Sequence, residues 1–337
     1  MSRRPILRAA AAAVVAALAS TLPAAAQASS EAVPDAPGVK RLAGADRYAT
    51  AAAIVRDSFT GPVWQVLIVS GADYADALVG GPAADKREQP ILPVGKDSIP
   101  ESIRQELARL QPGSIQILGG AAAVSDSVKA QLEDYTEGIV VRLAGADRYA
   151  TAAEVARVAF SGPLPQVLIA TGRDFPDALA AGAVGARTDS PVLLVEPDHI
   201  PVQTARVLEA YQPRDIAVLG GPEVISDRVV EQLRAYTSGG VNRLDGRTRY
   251  ETAARAVSIF WPNPTPVVYL ATGLNFPDAV SGIPAAGRDD APLLLVQRDC
   301  MPEATREQIE RLRPSTLVVL GDETTVSDAA AAGAACS

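Results

Sequence analysis

Over the first hundred residues after the N-terminal leader, apolar positions follow two alternating rhythms. Short, nearly unbroken apolar runs occur at Val66–Val69, Ile91-Leu92-Pro93-Val94 and Ile115–Leu118. Between them lie longer stretches whose apolar residues return every three or four positions: Arg47–Phe59, a run starting at Asp73, Glu101–Leu110, and one from Ser125 to Tyr135. The short runs predict strands buried on both faces, and the long ones predict helices packed over them. Start signals agree with this reading. Asp46, Asp73 and Ser125 stand where N-caps are expected, and Pro100 stands at a helix opening. Strands and helices in strict alternation predict a small doubly wound parallel sheet, flavodoxin- or Toll-like, joined by right-handed crossovers.

The same pattern is then written twice more. Arg41-Leu42-Ala43-Gly44-Ala45-Asp46-Arg47-Tyr48 returns at Arg142–Tyr149 and, altered, at Arg243–Tyr250, a constant step of 101 residues. The blocks Ser70–Ala77, Thr171–Ala178 and Thr272–Ala279 keep that step, as do Ile117–Gly120, Val218–Gly221 and Val319–Asp322. A β-branched pair before Arg-Leu, as in Val140-Val141-Arg142-Leu143, predicts an additional strand at the start of each copy. The period is the size of a small domain and far too long for a solenoid turn. Three repeats are therefore expected, at 39–137, 140–238 and 241–337. Their linkers, Thr136–Ile139 and Thr237–Gly240, are so short that a pseudo-threefold ring is favoured over beads on a string.

The chain ends place the protein outside the cytoplasm. Residues 1–28 read as a signal peptide: Arg3, Arg4 and Arg8, an apolar stretch Ala9–Leu22, then Ala26-Gln27-Ala28 as the cleavage site. Ser2–Leu7 fits twin-arginine export as well as general secretory export. Residues 29–38 read as a flexible lead-in. Loss of the leader removes three arginines and no acid, so the net charge moves from −8 to −11. A chain this acidic, without a Lys/Arg tract, is a poor partner for nucleic acid or an anionic membrane. No mature segment is long enough for a transmembrane helix. Export also makes Cys300 and Cys336 a candidate disulfide. The last helix of the third copy, with Ala330 and Ala334 where the other copies have Val128/Val229 and Leu132/Leu233, is the element in need of such a staple. A helix running straight on from Ser327 would carry Cys336 away from Cys300, so pairing requires the tail to turn back, with Gly333 as the candidate turn.

Recurrence within the chain serves as the filter for chemistry. Arg41/Arg142/Arg243, Arg47/Arg148/Arg249 and Lys86/Arg187/Arg288 are basic in every copy, and Asp76/Asp177/Asp278 are acidic in every copy. Arg47, Arg148 and Arg249 fall at the carboxyl edge of a strand, where open parallel sheets bind ligands. A guanidinium beside helix N-termini suits phosphate, carboxylate or sugar hydroxyls. The structural alternative is an Arg–Asp pair, such as Arg47 with Asp73 or Asp76, stitching the edge or the seam between copies. Asp76, Asp177 and Asp278 are candidate polymer contacts, with a helix-dipole role as the alternative. Packing against the sheet is favoured over sugar stacking for Tyr48/Tyr149/Tyr250 and Tyr74/Phe175/Phe276. Catalysis finds little footing. The single histidine, His199, does not recur, and neither a nucleophile elbow, a nucleotide-binding loop nor a metal-ligand spacing is present, so no cofactor and no metal are expected.

The R-L-x-G-x-x-R-Y-x-T-A opening, the [ST]-G-x-[DN]-[FY]-x-D-A-[LV] block, P-[IVL]-L-x-V and [IV]-L-G-[GD] resemble the cell wall-binding repeat type 2 family of Gram-positive surface proteins, in all three copies. The resemblance implies Toll-like repeats in a pseudo-trimer and non-covalent attachment to an anionic cell wall polysaccharide of teichoic or related type. It also implies an anchoring role for an Ile-Leu-Leu motif, matched by Val192-Leu193-Leu194 and Leu293-Leu294-Leu295; copy one departs at Ile91-Leu92-Pro93. The expected protein is thus a secreted, non-enzymatic wall binder. A wall hydrolase or hydrolase modifier using the recurrent aspartates, or an extracellular protein–protein module, are the alternatives.

Overall fold

The computed structural model describes residues 36–73 and 75–336. The residues expected to form a signal peptide, and nearly all of the expected lead-in, lie outside them. The first copy contributes β1 (Gly38–Leu42), α1 (Arg47–Ser58), β2 (Val66–Ser70), α2 (Ala75–Lys86), β3 (Ile91–Val94), α3 (Glu101–Leu110), β4 (Ile115–Leu118) and α4 (Asp126–Leu132). The second contributes β5 (Val140–Leu143), α5 (Arg148–Ala159), β6 (Gln166–Thr171), α6 (Pro176–Thr188), β7 (Val192–Val195), α7 (Val202–Tyr211), β8 (Asp215–Leu219) and α8 (Asp227–Leu233). The third contributes β9 (Val241–Leu244), α9 (Arg249–Phe260), β10 (Val267–Thr272), α10 (Pro277–Arg288), β11 (Leu293–Val296), α11 (Glu303–Leu312), β12 (Thr316–Leu320) and α12 (Asp328–Ala331).

The unbroken apolar runs become strands with two apolar faces. In β2, Leu67 and Val69 join the large core cluster containing Ala77 and Leu78 of α2, while Val66 and Ile68 join a second cluster with Ile103 and Leu107 of α3. All strands pair in parallel, in three sheets of four.

The sheets do not coincide with the sequence copies. Their orders are β3-β2-β4-β5, β7-β6-β8-β9 and β11-β10-β12-β1. The strand that opens each copy therefore completes the sheet of another copy. β5 lies beside β4, β9 beside β8, and β1 beside β12, with Gly38 opposite Thr316 and Leu42 opposite Leu320. This last pairing joins the two ends of the chain and closes a ring of three units.

The recurrent Arg41/Arg142/Arg243 pins each exchange. Arg41 donates to the carbonyls of Gly321 (2.9 Å) and Val326 (2.8 Å) and to Asp328 (2.7 Å). Arg142 reaches Gly119 and Asp126, and Arg243 reaches Gly220, Ile225 and Asp227, in the same way. The recurrence of Asp126/Asp227/Asp328 has its explanation in this pin.

Around the ring axis α2, α6 and α10 pack against one another. Small residues make this possible. Ile283 of α10 is fully buried, and a side chain at Gly81 of α2 or Gly182 of α6 would collide with it. The third recurrent basic set ties the rim of the bundle. Lys86 pairs with Asp189 (2.9 Å), Arg187 with Asp290, and Arg288 with Glu88 (3.9 Å). Each cation also lies over an aromatic of the next unit: Lys86 over Phe160, Arg187 over Trp261, and Arg288 over Phe59.

The tail of the third copy resolves the expected staple. α12 ends at Ala331, Gly333 adopts φ 86°, and Met301 N–H donates to the Ala334 carbonyl at 2.7 Å. The chain thus turns back at the glycine, and Cys300 and Cys336 are joined in a disulfide with Cα atoms 5.0 Å apart.

Candidate functional site: three clefts between copies

Strand exchange places the loop that follows each opening strand next to the carboxyl ends of the strands of another copy. Three clefts result. The first, of about 570 Å³, lies between Ser70–Asp76 of copy one and Gly145–Thr151 of copy two. The second, of about 530 Å³, lies between Asp174–Asp177 and Asp245–Thr252. The third, of about 170 Å³, lies between Asn275–Asp278 and Gly44–Thr50, across the ring closure.

Each cleft is assembled from recurring parts. Its helix N-terminus comes from α1, α5 or α9, capped by Asp46, Asp147 or Thr248 through side-chain oxygens that accept from the first backbone N–H groups. The opposite wall is the turn into α2, α6 or α10. Here the cap expected at Asp73, which the 101-residue step carries to Asp174, is corrected at Asp174. Asp174 does not cap α6. Phe175 stands at the cap position, and the Asp174 carboxylate accepts from the Phe175 N–H at 2.8 Å instead. The turn is organised by a hydroxyl on the last strand residue. Ser70 Oγ accepts from Ala72 and Asp73, Thr171 Oγ1 from Arg173, and Thr272 Oγ1 from Leu274. That role was missed, although its signal, a hydroxyl residue before the recurring glycine, is visible in all three copies.

The candidate arginines do come to the clefts. Arg47 donates to the Gly71 carbonyl (2.7 Å), Arg148 to Gly172 (2.5 Å) and Arg249 to Gly273 (2.6 Å), each holding the end of the second strand in its own copy. The acid facing each arginine belongs to another copy, so pairing of Arg47 with Asp73 or Asp76 is also corrected. Arg148 faces Asp76, Arg249 faces Asp177 and lies 3.7 Å from Asp174, and Arg47 faces Asp278.

Asp76, Asp177 and Asp278 are held in an unusual setting. Their carboxyls lean on Gly119, Gly220 and Gly321, which have φ between 102° and 121°; a Cβ at any of the three would crowd a carboxyl oxygen. Burial pushes Asp177 and Asp278 up to about 6. Asp174 adds to the shift at Asp177, against Arg249 and Thr252, and Asp322 adds to it at Asp278, against Arg47. Burial raises Asp76 as well, with a Thr151 hydrogen bond and Arg148 opposing and Asp73 adding. Oδ1 of Asp278 is buried without a hydrogen-bond partner.

The tyrosines pack rather than line an open platform. A side chain at Gly71, Gly172 or Gly273 would strike the ring of Tyr48, Tyr149 or Tyr250, so ring and glycine recur together. The motif aliphatics are in the core. Val192, Leu193, Leu194, Leu293, Leu294 and Leu295 are at most 2% exposed. Their burial fits a structural role, in which any part they have in anchoring passes through holding β7 and β11. Among the described residues no group of three His, Cys, Asp or Glu is placed to hold a metal, and no helix is long and apolar enough to cross a membrane.

Comparison with known proteins matches the model of Cell wall binding domain 2 (CWB2) to residues 41–129, 142–230 and 243–331. The chain is 30% identical over 266 residues to the amidase enhancer of Bacillus subtilis, covering 79% of this chain and 36% of that protein. It is 30% identical over 290 residues to the N-acetylmuramoyl-L-alanine amidase LytC of the same organism, covering 86% and 56%. Among solved structures, Cwp6 from Clostridium difficile superposes with a TM-score of 0.82 at 26% identity, over 89% of this chain and 48% of that one. The chain thus spans roughly a third to just over a half of the length of these relatives.

Proposed function

Because the chain belongs to the Cell wall binding domain 2 family, we propose that it is an exported wall-surface protein held non-covalently by wall polysaccharide lying in the three clefts between copies. The observation that carries this reading is the threefold recurrence of one composite cleft, each with an arginine, a recessed aspartate and a capped helix N-terminus. Weak sites repeated around one body gain avidity on a repetitive polymer, whereas repetition does little for a single catalytic event. The polymer is anionic, as the family resemblance implies, and its acid groups meet Arg47, Arg148 and Arg249. The protein acts by attachment rather than by bond cleavage. The amidase named among its relatives is nearly twice as long as the matched region, so that chemistry is not carried over to this chain.

The test is co-sedimentation with wall purified from the producing bacterium, intact and stripped of phosphodiester-linked polymer by hydrofluoric acid. Retention on intact wall that weakens with salt and is lost on stripped wall is expected. Retention on neither preparation at any ionic strength refutes the reading. Release of soluble sugars or peptides from the wall would favour the hydrolase alternative.

A further inference from the structure

The clefts carry more acid than base. Among the described residues lining the first, Asp73, Asp76 and Asp147 stand against Lys96 and Arg148. In the second, Arg247 and Arg249 face five acids: Asp174 and Asp177 on one wall, Asp245 and Glu251 on the other, and Glu223 between them. In the third, Arg47 faces Asp46, Asp278 and Asp322. An anionic segment entering any of them meets net negative charge at close range, which opposes binding.

One acid in each cleft can be relieved of its charge without moving. Asp76, Asp177 and Asp278 are the recessed members, set against the left-handed glycine behind them; Asp278 is buried and the other two are half-buried. Asp278 shows the consequence most directly: it is 6% exposed, it lines the third cleft, and Oδ1 has no partner. A carboxylate oxygen in that position is costly, and a neutral carboxylic acid there costs less.

We propose that wall attachment is proton-linked: each cleft accepts an anionic polymer segment together with a proton taken from solvent by Asp76, Asp177 or Asp278. The inference rests on the wall-binding reading above. Protonation removes one negative charge per cleft and so weakens the repulsion that an anionic segment meets beside the facing arginine. Of the other lining acids, Asp46 and Asp147 are engaged as helix caps and Asp322 as a turn acceptor, whose hydrogen bonds hold its carboxyl below the usual range. With Asp177 and Asp278 pushed up to about 6, and Asp76 raised in the same direction by burial, about one in a hundred of the first two is protonated at pH 8 and most are at pH 5. The competent population therefore changes by more than tenfold.

The experiment measures affinity for intact purified wall at pH 5, 6, 7 and 8 at fixed ionic strength, for the wild type and for Asp76→Asn/Asp177→Asn/Asp278→Asn. Wild-type affinity is expected to be about tenfold or more higher at pH 5 than at pH 8. The triple variant is expected to bind at pH 8 as the wild type does at pH 5, with a flat profile. Calorimetry of the wild type at pH 7 in two buffers of different ionisation heat should show net proton uptake on binding, and this arm decides the matter even if the variant does not fold. A flat wild-type profile, a variant that keeps the wild-type slope, or zero proton uptake each overturns the inference while leaving wall binding intact. No wild-type retention at any pH removes the wall-binding reading, and the inference with it.

Discussion

Replacing Arg41 by alanine tests whether the ring is closed. The side chain is 20% exposed and satisfies two carbonyls, Gly321 and Val326, besides pairing with Asp328. Asp328 is 76% exposed, so the ion pair itself contributes about 0–1 kcal/mol. The two part-buried carbonyls served by a charged donor carry the rest, on the order of 1.5–3 kcal/mol after allowing for water reaching them in the variant. A loss of about 1.5–4 kcal/mol is expected in all. For a chain of this size that corresponds to a fall in Tm of about 2–6 °C, readable by calorimetry and by urea midpoint. Asp328→Ala should cost no more than about 1 kcal/mol, and a double-mutant cycle between the two should give a coupling of the same small size. The decisive comparison is with Arg243→Ala, since Arg243 also serves two carbonyls and an aspartate. Arg243 meets its partners within 23 residues of chain, whereas those of Arg41 lie 280 residues or more away. In a closed ring the two substitutions cost alike. In an open array β1 hangs free, and Arg41→Ala is nearly silent; that result would refute strand exchange across the chain ends.

Three further outcomes follow from the same contacts. Cys336→Ser should cost about 3–4 kcal/mol in a denaturant titration and release amide protection first along 329–336, since the bridge holds a tail that buries little else. Ile283→Ala, fully buried at the axis, should cost about 2–5 kcal/mol, and a smaller loss would mean that the central helices do not meet there. Asp85, raised to about 7 by burial and then by Asp189, against Arg288, gives a pH signature. Its folded pKa lies above the ordinary 3.8, so its favourable contribution is complete below about pH 4 and is lost as pH rises through 7. Asp85→Asn should therefore raise Tm at pH 8 and leave it unchanged at pH 4, and equal effects at both would count against a buried carboxyl.

The elements were legible because burial on two faces and amphipathic periodicity leave direct marks. Val66–Ser70 and Arg47–Ser58 appear within a residue or two of where the pattern puts them. The boundary of the sheet was not legible. A tandem repeat looks the same wherever it is cut, so a 101-residue step is silent on whether Val140–Leu143 belongs with β4 or β6. That choice rests on non-local pairing, Ile117 opposite Arg142, which no local signal records. Residue type does not separate the two arginine sets; position after the opening strand does, and it singled out Arg47, Arg148 and Arg249. Arg41 and Arg47 are six residues apart and equally recurrent, yet one pins a strand and the other enters a cleft. Asp174 looked like a cap because Asp is a good one. The competing hydroxyl of Thr171 already organises that turn, and proline at position 176 moves the helix start past the aspartate.

Strand exchange also explains why the candidate sites lie on seams. Any residue shortly after an opening strand is carried by that strand into another copy's territory, so Arg47, Arg148 and Arg249 necessarily face aspartates that are not their own. Structure and site are then coupled most tightly at the third seam. Arg47 follows Leu42, the last residue of β1, by only five positions, and β1 is held by β12 from the far end of the chain. Docking β1 completes the third sheet and, in the same step, delivers Arg47 opposite Asp278. Two of the clefts form from neighbours in sequence. The third exists only once the ends have met, so a full set of three sites reports that the ring is shut.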